Sequence, residues 1–304
     1  MDNNTSIKGK PKIIVILGPT ASGKSDLAVE VALQYNGEII SADSRQVYKG
    51  LDIGTGKITR DEMKDVPHHL LDVALPEEDS FTVQRYKKLA DKAITEIIGR
   101  GRLPIICGGT GFYIQAIVDG LTFPEVPPDR NLRESLAEKS KEELFAELLR
   151  LDPARAEVVD QKNPRRLIRA IEIAFHIGKT PRLTSRERYE AFMLGISTDK
   201  HLLKEKIKHR LLKRTDAGMI EEARHLHEHG LSFERMEKLG LEYRYLGRYL
   251  KGELTREDMI AKLEIEIWNF AKRQMTWFKR DKRIKWFTVE EKSEIFELVK
   301  NFLV

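Results

Sequence analysis

The first third of the chain alternates short apolar runs with segments whose apolar residues recur at helical spacing. Residues 13–17 form an unbroken apolar run rich in β-branched side chains, which is typical of a buried strand. Residues 37–43 and 103–107 repeat this pattern, and a shorter strand is predicted at 69–73. Residues 82–99 place their apolar side chains on one helical face. This alternation of strand and helix predicts a parallel sheet.

The pattern changes at the proline-rich segment 122–128, after which only helical periodicity is present as far as about residue 190. Two helices are predicted in this region, at 132–149 and at 163–178, the second beginning with an Asn-Pro pair suited to a helix start. Strand character returns at 192–197. A helical segment enclosed between two strands of one sheet indicates an inserted subdomain.

A glycine-rich pattern, G-x-x-x-x-G-K-S, separates the first predicted strand from the first helix. It comprises Gly18, Pro19, Thr20, Ala21, Ser22, Gly23, Lys24 and Ser25. Between a strand and a helix this pattern forms a P-loop, whose backbone N–H groups and helix N-terminus bind phosphate. Lys24 is expected to reach the terminal phosphates, and Ser25 to ligate Mg²⁺. The loop predicts a polyphosphate ligand without indicating which one.

Together these patterns predict an α/β fold with a P-loop parallel-sheet core, an inserted all-helical subdomain and a helical C-terminal part. The P-loop catalytic domain is expected to comprise residues 1–121 and 191–304, and the inserted domain residues 122–190. The helices of the C-terminal part are predicted at 201–229, 255–279 and 293–303.

Composition narrows the class of protein. The chain has 304 residues, of which 33% are charged and 41% hydrophobic, as in soluble globular proteins. Cys107 is the only cysteine, which excludes an internal disulfide and a cysteine-rich zinc site. The polar segment 1–10 has no signal-peptide pattern and no apolar run reaches membrane-spanning length, so we expect a cytoplasmic protein. The net charge of +5 slightly favours an anionic partner.

Polar side chains that follow predicted strands are the candidates for chemistry. Ligands of parallel sheets bind at the carboxyl ends of the strands, where Gly18, Asp43 and Thr110 are all expected. Asp43 could bind a metal ion, act as a base on an acceptor group, or only cap a turn. Residues 108–110 would allow close approach of the backbone to a ligand, although a simple strand-to-helix turn has the same pattern.

Basic residues cluster in two segments that could bind nucleic acid. Arg165, Arg166 and Arg169 fall on one side of a predicted helix, where like charges repel unless they face an anion. Residues 268–287 interleave basic and aromatic side chains, which suits nucleic acid. The alternatives are a solvated basic face for the first segment and an amphipathic core helix for the second.

An ordered set of motifs resembles the tRNA isopentenyltransferase family, to which the bacterial tRNA dimethylallyltransferases belong. The motifs lie at residues 18–25, 41–46, 48–55, 68–72, 108–110 with 113, 163–170 and 272–278, and thus span nearly the whole chain. Jointly they are specific, although the P-loop alone is not. Residues 242–245 depart from the Gly-Tyr-Arg-Gln stretch that is frequent in this family.

The resemblance implies a reaction. The donor would be dimethylallyl diphosphate, with its diphosphate in the P-loop and Mg²⁺ on Ser25. The acceptor would be N6 of the adenosine immediately 3′ of the anticodon, flipped out of the tRNA anticodon stem-loop. It implies that Asp43 is the general base and that Thr110 donates a hydrogen bond to the bridging oxygen of the leaving diphosphate. Lys24 and Arg210 would stabilise that diphosphate.

The resemblance also implies a set of tRNA contacts, and we separately expect a monomer. The expected contacts are Asp43, Ser44, Arg45, Gln46, Thr110, Arg133, Arg165, Arg166, Leu167, Ile168, Arg169, Tyr243 and Arg244.

Two rival functions share parts of this pattern. A small-molecule or nucleotide kinase has the same loop, with the insertion serving as a lid over a nucleoside triphosphate. The basic helices, and the lack of an obvious arginine-rich lid, disfavour it. A non-enzymatic RNA-binding switch built on a P-loop is disfavoured by the pairing of Asp43 with Thr110.

Overall fold

The structure of the protein, a computed structural model, describes residues 9–78, 80–179 and 184–304. The segment 1–8, which contributed to the expectation of no signal peptide, lies outside the described residues. The strands are β1 Lys12–Leu17, β2 Gly37–Ser41, β3 His68–His69, β4 Leu103–Gly108, β5 Glu190–Ile196 and β6 Lys285–Phe287. They form one sheet in the order β3-β2-β4-β1-β5-β6, and each neighbouring pair is parallel. The predicted fold class is confirmed.

Each strand is followed along the chain by at least one helix. In the described part of the chain they are α1 Lys24–Gln34, α2 Arg60–Met63, α3 Val83–Gly99, α4 Gly111–Val118, α5 Arg130–Ala137, α6 Lys141–Leu151, α7 Pro153–Val158, α8 Pro164–Ile177, α9 Lys200–Asp216, α10 Met219–Glu228, α11 Phe233–Leu239, α12 Leu241–Leu250, α13 Arg256–Phe278 and α14 Lys292–Leu303. None of these helices is both long enough and apolar enough to cross a membrane.

Strand β1 lies at the centre of the sheet because both of its faces are apolar. Ile13, Val15 and Leu17 belong to one buried cluster, and Ile14 and Ile16 belong to another. This division follows the alternation of side chains along a strand. Helix α1 packs into the second cluster, whereas α3 and α13 pack into the first. Burial on both faces is what the continuous apolar run predicts.

The carboxyl ends of three adjacent strands hold the predicted chemical groups. Strands β1 and β4 are in register with Leu17 opposite Gly108, so the P-loop and the loop after β4 leave the sheet side by side. Asp43 follows the end of β2, and Thr110 follows the end of β4. Since β4 lies between β2 and β1, all three loops meet at one edge of the sheet.

The chain divides into two compact units, Met1–Gly120 with Glu187–Val304, and Leu121–Arg186. The predicted insert, 122–190, extends four residues beyond the end of the second unit at Arg186. Residues 187–190 lead into β5 and belong to the unit that contains the sheet. The second unit has an apolar core of its own, formed by Leu136, Leu144, Leu148, Ala156, Val159, Leu167, Ala170 and Ile171.

Two long helices predicted from periodicity are each divided in the structure. The helix predicted at 132–149 is wrong, because Ser140 starts a new helix in a capping box with Glu143. The helix predicted at 201–229 is also wrong, since it is interrupted at Gly218, whose φ of 100° is left-handed. Apolar periodicity continues across both breaks, which is why it did not reveal them.

The segment 268–287 combines a helix end with an edge strand. Helix α13 ends at Phe278, and the last two aromatic residues of the segment, Trp286 and Phe287, lie on β6. Phe287 is buried, and Trp286 covers Gly195 on β5. These two aromatic side chains therefore belong to the packing of the sheet. Strand β6 and helices α11 and α12 were not predicted.

Candidate active site

The P-loop has the backbone geometry of a phosphate cradle. A Cβ atom on Gly18 would lie 2.6 Å from the carbonyl oxygen of Ile196, so only glycine fits beside β5. Gly23 precedes α1 with a left-handed φ of 87°, and Ala21 has a φ of 61°, which is rare for a residue with a side chain. Backbone strain of this kind is retained at ligand-binding loops. The loop leads directly into the N-terminus of α1, where anions bind.

Lys24 is held inside this loop. Its Nζ donates a hydrogen bond to the carbonyl oxygen of Pro19 at 3.1 Å. Burial lowers the pKa of Lys24 and the nearby Arg210 lowers it further, whereas Cys107 and Asp43 act in the opposite direction. A desolvated ammonium group gains much from an anionic ligand. Its position is consistent with the predicted contact to a diphosphate.

Asp43 and Thr110 lie close together at the same edge of the sheet. The Thr110 hydroxyl accepts a hydrogen bond from the Ser44 N–H at 3.0 Å, and the Thr110 N–H donates to the Ala42 carbonyl at 3.0 Å. Asp43 Oδ1 accepts from the Arg45 N–H at 2.8 Å. Oδ1 of Asp43 therefore caps the turn that follows β2, which was one of the roles considered for this residue. Among the described residues Oδ2 accepts no hydrogen bond, and this oxygen is free to accept a proton.

A cavity of about 360 Å³ opens beside these groups, and positive charge dominates its walls. Six basic residues line it, namely Lys24, Arg45, Arg210, Arg214, Arg244 and Arg273, against the acids Asp43, Glu242 and Glu266. Burial lowers the pKa of Arg45 and of Arg210, so these guanidinium groups are also poorly solvated. Such a cavity concentrates anions.

The two arginines of α9 are fixed against the loop that follows β2. Arg210 donates to the carbonyl oxygen of Gly56 at 3.0 Å, and Arg214 donates to that of Gly54 at 2.8 Å. Glu222 on α10 accepts the N–H groups of three consecutive residues of the same loop, 52–54, at 2.7–3.0 Å. Arg214 was missed from the sequence, although its position four residues after Arg210 places both on one helical face.

One face of α13 supplies the opposite wall. It contributes Glu266, Ile267, Phe270, Arg273 and Gln274, which recur at helical spacing. Gln274 Oε1 accepts from the Thr20 N–H and its Nε2 donates to the Gly109 carbonyl, each at 2.9 Å. Arg273 was predicted only as one of the basic residues of segment 268–287 suited to nucleic acid, and no role was predicted for Gln274. The helical spacing from 266 to 274 was the available signal.

Within the second unit, the buried carboxylate of Glu172 organises the arginines predicted to bind tRNA. Glu172 is fully buried and accepts from Arg133 at 2.7 and 2.8 Å, from Arg169, and from the Asp129 N–H at 2.7 Å. Arg169 also donates to the Val126 carbonyl. The argument that Arg169 requires an external anion is therefore wrong, because Glu172 already supplies one.

The remaining predicted tRNA contacts differ in exposure. Arg165 and Arg166 are exposed on α8, and Ile168 is half-buried. Leu167 is buried in the core of the second unit. Tyr243 is 2% exposed and its hydroxyl donates to Glu222 at 2.7 Å. Because both side chains are buried, the prediction that Leu167 and Tyr243 contact tRNA through their side chains is withdrawn.

Arg244 and the segment that follows Asp43 face the cavity. Ser44, Arg45 and Gln46 all line it, and Arg244 does so while it forms an ion pair with Glu237 at 2.8 Å. Any tRNA group that reaches these residues would therefore have to enter the cavity.

The residues around the P-loop fit a magnesium ion that is bound mainly by its substrate. Ser25 is exposed at the N-terminus of α1 and lines the cavity beside Lys24. The described part of the chain holds no group of three or more His, Cys, Asp or Glu side chains suited to a metal. Mg²⁺ commonly keeps several waters and takes few protein ligands alongside phosphate oxygens, so one hydroxyl is sufficient.

Comparison with known proteins places this geometry in a family. A family model described as IPP transferase matches residues 46–281. A tRNA dimethylallyltransferase 2 from Citrifermentans bemidjiense is 46% identical over 89% of this chain and 87% of its own length. A tRNA dimethylallyltransferase from Anoxybacillus flavithermus is 40% identical over 94% of this chain and 93% of its own length.

Solved structures agree with the sequence comparison. The full-length tRNA isopentenylpyrophosphate transferase from Bacillus halodurans superposes with a TM-score of 0.73 at 34% identity, covering 96% of each chain. A eukaryotic dimethylallyltransferase, seen acting on tRNA, superposes with a TM-score of 0.77 at 26% identity, covering 88% of this chain and 69% of the other. The chain belongs to the IPP transferase family. The predicted family and the predicted class, a transferase that modifies tRNA, are confirmed.

The cationic cavity predicts that inorganic diphosphate alone binds and stabilises the folded protein. At a concentration of about 100 times the Kd the gain is about 2.7 kcal/mol, seen as a rise in the unfolding temperature. Lys24→Ala should remove most of this rise, because it deletes the buried ammonium group of the loop. Lys262→Ala, on the exposed face of α13, is the matched control and should retain it. An undiminished rise in Lys24→Ala would exclude the P-loop as the diphosphate site.

Proposed function

We propose that this enzyme transfers the dimethylallyl group from dimethylallyl diphosphate to N6 of the adenosine immediately 3′ of the anticodon in tRNA. The observation that supports it most directly is the cationic cavity lined by the P-loop and Asp43, with Thr110 hydrogen-bonded to Ser44 next to that carboxylate. Membership of the IPP transferase family supports the chemical class. A polyphosphate cradle, a carboxylate and a hydroxyl are the groups that transfer from an allylic diphosphate to an amine requires.

The main barrier lies in the departure of diphosphate, since an exocyclic adenine amine is a weak nucleophile. In the reaction the bond between allylic C1 and the diphosphate oxygen breaks, and the electron pair leaves with the diphosphate. Lys24, Arg210 and the P-loop N–H groups stabilise the charge that grows there. Thr110 donates its O–H to the bridging oxygen. Its hydroxyl oxygen already accepts from Ser44, which leaves the proton available.

Proton transfer completes the reaction. The adenine nitrogen forms its bond to C1 and loses a proton, which Asp43 Oδ2 accepts while Oδ1 remains bound to the backbone of Arg45. Ser25 would hold Mg²⁺, which when bound neutralises part of the charge on the diphosphate.

Recognition of tRNA is assigned to basic side chains of both units. Arg165 and Arg166 are exposed and suited to phosphate, and Arg45 and Arg244 line the cavity that the flipped base would enter. Flipping a base costs a few kcal/mol, which phosphate contacts and stacking offset. With tRNA as substrate, we propose a monomeric enzyme that acts in the cytoplasm.

The identity of the donor is the most discriminating test. Purified protein is incubated with an anticodon stem-loop RNA, Mg²⁺ and either labelled dimethylallyl diphosphate or labelled ATP. We expect the prenyl label on the RNA and release of diphosphate, with no requirement for ATP and no hydrolysis of it. Release of ADP at the rate of turnover, with no prenyl group on the RNA, would replace this proposal with the kinase alternative.

Asp43→Asn should lower the single-turnover rate of transfer by about 100-fold or more, since a general base contributes about 10²- to 10⁴-fold. The amide oxygen still accepts from the Arg45 N–H, so the loop and the Kd for tRNA should be preserved. Asp216→Asn, at an exposed site on α9, is the matched control. A near-normal rate in Asp43→Asn would remove this carboxylate from the mechanism.

Arg165→Ala should weaken tRNA binding and reduce the slope of log Kd against log salt concentration by about 0.7–0.9, because one phosphate is no longer neutralised by the protein. The KM for dimethylallyl diphosphate should not change. Arg150→Ala, an exposed arginine on α6 of the same unit, serves as control. Equal tRNA affinity for Arg165→Ala and wild type at several salt concentrations would contradict this role. The basic residues of α8 would then form only a solvated face.

A further inference from the structure

The sheet fixes the bases of the catalytic loops, but it does not fix their tips. Strands β1 and β4 pair up to Leu17 and Gly108, and beyond this register the P-loop and the loop that leads to Thr110 leave the sheet. The diphosphate and its leaving oxygen must be held by these two tips together. A contact between the tips would therefore control the alignment of the reaction.

Gln274 makes such a contact. This side chain is 6% exposed and lies on α13. Its Oε1 accepts from the Thr20 N–H, and its Nε2 donates to the Gly109 carbonyl. A backbone N–H can only donate and a carbonyl can only accept, so the orientation of the amide is set by its partners. Only a group with one donor and one acceptor satisfies both loops.

The space around this contact is equally specific. A Cβ atom on Gly109 would lie 2.2 Å from Gln274 Nε2, and a Cβ atom on Gly111 would lie 2.2 Å from Cδ1 of Trp277. Helix α13 therefore packs directly on the backbone that flanks Thr110. Through the bonds of Thr110 to Ser44 and Ala42, the same linkage reaches the loop of Asp43.

We infer that Gln274 is a positioning residue, which sets the P-loop and the Thr110 loop in the alignment needed for departure of diphosphate. This inference rests on the proposed prenyl transfer. Both polar atoms of the Gln274 amide are hydrogen-bonded to the protein, so Gln274 affects the reaction through Thr20 and Gly109. A misplacement of about 1 Å can cost about 100-fold in rate, so a single linking side chain is sufficient to control the chemical step.

Gln274→Met keeps the volume but removes both hydrogen bonds, and Gln274→Glu tests the need for a donor. We expect the single-turnover rate of Gln274→Met to fall by about 10- to 100-fold, with the Kd for tRNA within about twofold of wild type. Gln34→Glu, on the exposed part of α1, is the matched control and should match wild type. The unfolding temperature of each variant shows whether it is folded.

The pH profile of Gln274→Glu separates positioning from simple filling of space. A carboxylic acid has one donor and one acceptor, as the amide does, whereas a carboxylate has no donor for the Gly109 carbonyl. The rate of this variant relative to wild type should therefore rise as the pH is lowered from about 8.5 to about 6. The same ratio for Gln274→Met should stay constant. A ratio for Gln274→Glu that stays constant over a pH range in which the introduced carboxyl is shown to titrate would overturn the inference.

Gly109→Ala tests the contact from its other side, because the added Cβ displaces Nε2. It should slow transfer as Gln274→Met does, and the double variant should be no slower than the more affected single variant. Fully additive losses, or a rate within about twofold of wild type for Gln274→Met, would overturn the inference. Prenyl transfer by the wild type in the same assay reports separately on the proposed function.

Discussion

The active site places several poorly solvated cations close together, and the rest of the structure must offset the unfavourable free energy of that arrangement. Lys24, Arg45 and Arg210 lie around one cavity, and burial lowers the pKa of each. Desolvated cations of like charge disfavour one another, and the acids in the cavity are too few to compensate for them. The balance is completed by a polyanion. The sheet, the P-loop and α13 can be understood as the support that keeps these charges together until such a ligand binds.

Local features of this site were predictable from the sequence, whereas the contacts between its helices and its loops were not. The P-loop is a continuous pattern, and the ends of buried strands are visible as the points where apolar runs stop, so Lys24, Asp43 and Thr110 were found. Arg214, Glu222 and Gln274 depend on which helix packs against which loop. That information lies in tertiary contacts between residues more than a hundred positions apart.

The helical insert shows the same limit in a different form. In the sequence, Arg133 is an isolated basic residue, whereas Arg169 belongs to a predicted basic helix face. The structure joins them through Glu172, a glutamate with no signal of its own in the periodicity of α8. A buried carboxylate with several donors is stable only when all of its partners are present. Stability of the insert and orientation of its arginines thus depend on one group.

The carboxylate of Glu222 has a consequence for ligand selection. The N–H groups of residues 52–54 all donate to the carboxylate of Glu222, as the N–H groups of an anion-binding turn donate to an anion. The loop borders the cavity through Thr55. Because these three N–H groups are already bonded to Glu222, they cannot bind an anion that enters the neighbouring cavity. Glu222 thereby removes one potential anion site beside the arginines of α9.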